Sequence, residues 1–424
     1  LHPDMTHSNN PLLVVHPSLD YARRVCSHFP NAVFIARPAR AKELRTAGFR
    51  TLAADLSDGR AALRCATDYA LTQRLCYAGI ACFVCEYLPL TALLAAGLGL
   101  PYVDVQTAAL LRDKARCGAL WERSGVPVPT AQRIDDLSEL ETFASTCSPP
   151  WIIKPIDATG SEWVLRIDDP SQLADAHTRI QHGLRERTPN DPSPAYLAQR
   201  CIEGREFGVD FFIEGQRLRI LRLCEKFLVE TPTQAGVVGG YCIPHLPQRL
   251  RRQLQDTLRQ AARAVGMMRG IGMADLILSN DVFYLLEMAP RPGGDCLPDL
   301  CRAAFNYDPI RATCEAAIGE TPRAIHWPRP RRPLCALHLM SDREGTIQQI
   351  DFSALRAHGS FYKLIEAYCE PGDTLRHWAG SYEDRIVASC LAYCPDSNGL
   401  ADLWRELSDA VHITFVNELE PNPL

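Results

Sequence analysis

No window of this 424-residue chain is apolar for long enough to cross a bilayer. The longest candidate, Leu88 to Leu100, is about half the length required and is interrupted by Pro89 and two glycines. No basic stretch leads into an apolar core near the N-terminus, so secretion is not expected and a cytoplasmic setting is. Residues before Met5 are set aside from the fold reasoning. Charge of one sign is equally scarce. The formal net charge is −5, and basic residues alternate with acidic and polar ones, as in "RLRRQLQDTLRQ" from Arg249. That text describes a solvated helix face and not a phosphate-tracking patch, so no nucleic-acid partner is expected.

Several catalytic signatures are also missing. There is no H-E-x-x-H among the 12 histidines, and no second cysteine pair accompanies the lone C-x-x-C at Cys82 and Cys85. Zinc hydrolysis is therefore unsupported, and those two thiols are read as core. The 17 cysteines are odd in number and spread over the whole chain, as expected of reduced, mostly buried thiols and not of a disulfide framework. The first apolar run is followed by "HPSLD" where a dinucleotide-binding turn needs G-x-G-x-x-G, and no Walker loop occurs.

What is present is a globular composition, 46% hydrophobic and 22% charged, and a length suited to two or three domains. Short apolar runs at 12–16, 31–36, 49–54 and 79–86 alternate with amphipathic stretches such as Tyr21 to Phe29, the pattern of β-α units around a parallel sheet. A helical stretch over 107–125 ends at Gly125 before Pro127 and Pro129, a helix stop that marks a domain boundary. Strands are expected at 149–156 and 163–167, and a surface connection at 185–194. Further strands and a helix over 248–265 follow, with a loop over 230–247 between them. After "PRPRRP" (328–333) the tail carries short strands and one helix near 399–410.

Three segments carry chemistry. In "KPIDATGSEWV" (154–164), a lysine ends a buried strand and a small-residue turn follows. Backbone N–H groups at Thr159, Gly160 and Ser161 could line a phosphate chain that Lys154 neutralises. An ordinary hairpin with a snorkelling lysine fits the same text. In "MADLIL" (273–278) and "LLEMAPRPGG" (285–294), Asp275 and Glu287 lie on neighbouring predicted strands. Paired antiparallel, they supply two hard oxygen donors of the kind Mg²⁺ takes, with Arg291 beside them to hold phosphoryl oxygens. The alternative is a strand-end salt bridge between Glu287 and Arg291. In "YLAQRCIEGREFGVD" (196–210), an extended segment leads through a glycine turn to Glu206. Its backbone could read an adenine and its carboxylate a ribose, or it is a plain hairpin.

In this order and spacing the segments resemble the ATP-grasp superfamily over nearly the whole chain, from the parallel-sheet start through "RDKARCGALWERSGVPVP" to E-x-x-R-P-G-G. The resemblance implies a fold that is α/β and α+β, with an N-terminal parallel-sheet domain over 1–115, a central lid subdomain over 116–205 and a C-terminal mixed domain over 206–424. The last of these is β-rich from about 330. It implies ATP and Mg²⁺ (or Mn²⁺) as cofactors, with Lys114 and Lys154 on the phosphates and Gln199, Arg200, Cys201 and Ile202 as the adenine hinge. Glu206 would bind the ribose, Asp275 and Glu287 the metal, and Arg291 an acyl phosphate. Gln199 stands where the family usually has an acidic residue, and Ala289 where many members have Asn. The form "EMAPRPGGD" looks more like the branch of amino-acid ligases that make dipeptides than like D-alanine–D-alanine ligase.

The function implied is an ATP-dependent ligase joining a carboxylate to an amine through an acyl phosphate. A carboxylase or purine-pathway ligase is the alternative on the same scaffold, and a non-catalytic ATP-binding protein the third reading. The partners expected are the small-molecule carboxylate and amine, with a second copy of the chain the one macromolecular candidate. Gly160, Gly236, Gly239 and Gly240 are candidate hinges of covering loops, and the 230–247 loop is placed where family members approach the acceptor.

Overall fold

The computed structural model describes residues 10–188, 194–231, 234–323, 333–376, 386–394 and 399–418. The first unit is a four-stranded parallel sheet in the order Thr51–Ala53, Val33–Ala36, Leu12–Val15, Gly79–Cys82. Leu12 to Val15 and Val33 to Ala36 are buried at every position. Unbroken apolar strands are what a parallel sheet covered on both faces requires. Helices Gly59–Gln73 and Leu88–Leu98 cover one face, and Leu19–His28, Pro38–Thr46 and Pro309–Ala317 the other.

The stretch expected as one helix over 107–125 is two. Asp104 caps Val105–Leu110 by accepting from the Thr107 N–H, and Asp113 caps Lys114–Arg123 by accepting from the Arg116 N–H. An aspartate that takes an N-cap leaves the helix before it, so periodicity alone hides the break. The break has a consequence for the cleft described below. It frees the Lys114 N–H to donate to the Ile156 carbonyl at 3.1 Å, which ties the new helix start to the flap after Lys154.

The second sheet, ordered Ala131–Ile134, Tyr196–Arg200, Trp151–Pro155, Leu165–Ile167, is antiparallel and backed by helices Leu137–Thr146 and Leu173–Arg187. Strand alternation buries Trp151, Ile153 and Pro155 and turns Ile152 and Lys154 to the opposite face. The strand expected from residue 163 begins at Leu165, because Trp163 takes φ 55° to drop its indole into the core. Residues 185–187 end a helix, and 189–193 of the expected connection lie outside the described residues, as do 328–332.

The third sheet has eight antiparallel strands: Val282–Ala289, Arg269–Ser279, Arg205–Glu214, Arg217–Thr231, Gln234–Cys242, Leu334–Met340, Ile386–Tyr393, Phe361–Ala367. Helix Gln248–Ala264 packs on it through Leu250, Leu254, Leu258, Ala261 and Ala262. Asn280 and Asp281, both at positive φ, make the two-residue turn that sets the register of the first pair. A small sheet of Gly345–Asp351, Thr374–Leu375 and His412–Glu418 closes the tail.

The expected loop over 230–247 is a strand from Gln234 to Cys242. Its glycines suggested a loop, but two of them serve packing. An added Cβ at Gly239 would meet Val229 at 2.4 Å, and one at Gly240 would meet the Ala336 carbonyl oxygen at 2.5 Å. Gly239 and Gly240 are therefore close-approach positions inside a sheet and not hinges of a loop. Gly160 and Gly236, at φ 62° and 67°, do occupy the left-handed region that glycine takes without strain.

Candidate functional site: a cleft beneath a small-residue flap

The polar side chains of the eight-stranded sheet converge because side chains directly opposite on paired strands share a face, as do residues i and i+2. Asp275 pairs with Glu287 on one side and Gly208 on the other, and Ile277 pairs with Glu206. Cys224 pairs with Gly208, Arg222 with Asp210, and Lys226 with Tyr241. Tyr241 pairs with Ala336, and His338 with Ser389. One face thus carries Glu206, Asp210, Arg222, Lys226, Tyr241, Asp275, Glu287, His338 and Ser389.

Over this face stand the antiparallel sheet and its flap, enclosing a cavity of about 700 Å³. Lys114, Lys154, Thr159, Gly160, Ser161, Gln199, Cys201, Ile202, Glu206, Asp275, Glu287 and Arg291 all line it. Arg200 does not: alternation turns its side chain outward, where it is exposed. The flap reaches both walls. Thr159 Oγ1 donates to Glu86 at 3.2 Å, and Ser161 Oγ donates to the Gly236 carbonyl at 3.3 Å.

The cleft is electrostatically divided. Lys114 Nζ lies 3.3 Å from Glu287, so Glu287 pairs with a lysine and not with Arg291 as a strand-end bridge would have it. Burial opposes ionisation of Glu287, but Lys114, Lys154 and Lys226 outweigh it and hold the carboxyl at about 2. Asp275 behaves in the opposite way. Burial and the facing Glu287 push it above the usual range despite Lys226. Its Oδ1 is buried without a hydrogen-bond partner. A buried carboxylate oxygen left open beside a second carboxylate, with Lys226 holding only Oδ2 at 2.7 Å, fits a divalent cation coordinated by hard oxygens. Lys154 shows the complementary strain. Burial and the charge of Lys114 bring it down to about 8, so two lysines share a space that an anion would stabilise.

Sequence reasoning missed several members of this site, Tyr241 and Asp295 among the lining residues and the three described next. Lys226 donates to Glu206 at 2.6 Å as well as to Asp275, and those two carboxylates raise its pKa against the effect of burial. Arg222 and Asp210 form a wholly buried pair. Arg222 Nε and Nη2 reach the Asp210 oxygens at 2.9 and 2.7 Å, and Asp210 accepts the Gly293 N–H at 2.8 Å. The alternation R222-x-C224-x-K226 was the available signal, two like charges four residues apart on one face of a strand, though Arg217, Arg219 and Glu225 on the same strand obscure it. Arg291 Nε donates to Cys85 Sγ at 2.8 Å, which gives the C-x-x-C thiol a role as a prop for the arginine.

Residues 111–295 match the model of the ATP-grasp domain family. That segment is an ATP-grasp domain. The whole chain also has the ATP-grasp fold, since it superposes on an L-amino acid ligase from Bacillus licheniformis with a TM-score of 0.76 at 20% identity, covering 97% of this chain and 100% of that one. A phosphoribosylglycinamide synthetase from Anaerococcus prevotii follows at 0.66 and 17%, covering 96% and 100%. In sequence the chain is 26% identical over 205 residues to the D-alanine–D-alanine ligase of Bordetella avium, 46% of this chain and 62% of that protein. It is 25% identical over 288 residues to an uncharacterised protein of Sinorhizobium fredii, 68% of this chain and 58% of that one. The chain thus spans about three fifths of the length of these curated relatives. Among the described residues no helix is long and apolar enough to cross a membrane.

Proposed function

We propose that the chain is an ATP-dependent ligase that joins the carboxylate of an amino acid or derivative to the amine of a second amino acid. One observation carries the reading: two facing carboxylates, three lysines and an arginine meet in one cleft under a closed flap. A carboxylate is a poor electrophile because oxide would have to leave, and converting it to an acyl phosphate supplies a leaving group. Lys114 and Lys154 bind and neutralise the phosphate chain. The backbone at Gln199 to Ile202 holds the adenine, the Glu206 carboxylate takes the ribose hydroxyls, and Lys226 bridges that carboxylate to Asp275. Asp275 and Glu287 would hold Mg²⁺, which supplies Lewis-acid neutralisation of the phosphoryl oxygens. Arg291 binds the oxygens of the acyl phosphate, and the 156–164 flap excludes the water that would hydrolyse it. The likeness to D-alanine–D-alanine ligase and L-amino acid ligase supports amino acids as both substrates.

The direct test is phosphate release across pairwise combinations of amino acids and small acids with ATP, products being identified by mass. Amide formation with one ADP and one phosphate per bond is expected. Incorporation of labelled bicarbonate in place of an amino acid pair would move the chain to the carboxylase reading.

Lys154 makes a second, independent test. With its pKa at about 8 in the folded chain against an unfolded value near 10.5, the folded chain sheds this proton first. Between those values the unfolded state binds more protons, so this group's destabilising effect is complete below pH 8 and is relieved as pH rises. A bound triphosphate reverses the shift. At pH 8.5, ATP binding should take up on the order of one proton, read by calorimetry in two buffers of different ionisation enthalpy. Lys154→Arg, always charged, should take up none.

A further inference from the structure

The R-P-G-G turn does not end at its glycines. Asp295 follows at φ 61°, a left-handed conformation unfavourable for a residue with a side chain, and it lines the same cleft as Arg291. Its side chain keeps a quarter of its surface exposed. Behind it the carboxylate is firmly held. His338, wholly buried, brings Nε2 to 2.7 Å from Oδ2, and Tyr241 Oη donates to the same oxygen at 3.2 Å. The other ring nitrogen of His338 is fixed by buried Ser389 Oγ at 2.7 Å, which in turn donates to Tyr368 Oη at 3.2 Å. Burial would raise the Asp295 pKa. The His338 imidazole, with hydrogen bonds from it, from Tyr241 and from the Cys296 backbone N–H, holds it below the usual range instead.

The turn therefore presents a guanidinium at one end and a carboxylate at the other, with only glycine between them after Pro292. A Cβ added at Gly294 would lie 3.9 Å from Arg291 Nη1 and 3.7 Å from Tyr21 Oη, so the backbone itself forms the floor between the two charges. The α-carboxylate and α-ammonium of an amino acid are separated by a single carbon. A ligand carrying both opposite charges matches a surface carrying both in reverse. Nothing in the phosphate chemistry calls for Asp295: an acidic group near an acyl phosphate repels it. Its retention in a strained conformation, charged and buttressed by three further side chains, calls for a cation in the ligand.

We propose that Asp295 binds the α-ammonium of the amino acid whose carboxylate is activated at Arg291, so that the donor substrate is a zwitterionic amino acid with a free amino group. His338, with Ser389 behind it, is a positioning residue that holds the Asp295 carboxylate. The product is accordingly a peptide with a free N-terminus. This inference rests on the ligase reading above and goes further by fixing which end of the donor is read.

The experiment uses hydroxylamine as the acceptor, so that only the donor side is measured, as hydroxamate formed with ATP. Each standard amino acid is compared with its des-amino and N-acetyl analogues. The wild-type chain should form hydroxamate from one or more amino acids and little from the analogues. Asp295→Asn should raise KM for the amino acid at least ~30-fold, the loss of one partner of a held charge pair, while the discrimination against the des-amino acid collapses. Tyr241→Phe and Ser389→Ala, which leave the carboxylate in place, should raise KM by less. Thermal stabilisation by ATP, retained in all three variants, establishes that the cleft is intact. Equal loss of hydroxamate from amino acid and analogue in Asp295→Asn overturns the proposal, as does a wild-type chain that uses des-amino acids as well as amino acids. Absence of hydroxamate from every carboxylate in the wild type sinks the ligase reading itself and is distinct from either.

Discussion

Replacing Asp210 by Ala is expected to remove about 3–5 kcal/mol of folding stability, measured by urea unfolding. Arg222 is completely buried and Asp210 almost so, with two charge-assisted bonds of 2.9 and 2.7 Å and a third from Arg222 to the Gly208 carbonyl at 3.0 Å. Without Asp210 a guanidinium remains in the core with no counter-charge, and desolvation of an unpaired ion is among the largest single penalties a fold can carry. The double variant Asp210→Leu/Arg222→Leu separates pair from packing. It removes both charges, so most of the stability should return. Activity should not return with it. Asp210 Oδ1 also accepts the Gly293 N–H, and the Arg222 Nη2 atom fills the space where a Gly293 side chain would be. The buried pair is thus the floor on which the R-P-G-G turn rests, and removing it frees Arg291 from its place over the cleft. A single variant within about 1 kcal/mol of the wild type would mean that water or another group reaches Arg222, against the geometry described.

Asp275 and Glu287 were legible in the sequence as carboxylates on two neighbouring antiparallel strands, but not their facing: the tight turn at Asn280–Asp281 alone would set Asp275 opposite Leu286, and a register shift between Asp275 and Leu276 brings Glu287 there instead. The flap was legible for a local reason: small residues after a strand-end lysine. Asp210, Arg222 and Lys226 were not. Each sits mid-strand, Arg222 and Lys226 among other charges of the same strand, and its partner is defined by pairing across a hairpin whose bulge, between Ile220 and Arg222, shifts the register by one. A one-residue shift moves a side chain to the other face, so the sequence alone leaves open which of Arg219, Arg222 and Lys226 face the cleft. His338 is harder still. It reaches Asp295 from a strand forty-three positions away. The Gln234–Cys242 strand failed as an expectation because its glycines answer to neighbours, Phe227, Val229 and Ala336, that lie elsewhere in the chain.

Glu287→Ala should lower kcat on the order of 100-fold, or about 3 kcal/mol, if the carboxylate holds the metal in the transition state, by comparison with other charge-stabilising groups. The size alone would not distinguish that role from general damage, but the charges around Glu287 do. Three lysines hold this carboxyl at about 2, and Lys114 Nζ is 3.3 Å away. Taking the negative charge away leaves those lysines facing one another, so a polyphosphate should bind the metal-free variant more tightly than the metal-free wild type. In the presence of Mg²⁺ the order should change, because the cation loses one of its two carboxylate ligands and the concentration needed for half-maximal activity rises. Tighter ATP without metal, weaker use of metal and a lower kcat are a combination that loss of structure does not produce. A Glu287→Ala chain with kcat within a few-fold of wild type at the same Mg²⁺ would remove Glu287 from the metal site and leave Asp275, with its open Oδ1, as the one protein ligand supported by the geometry.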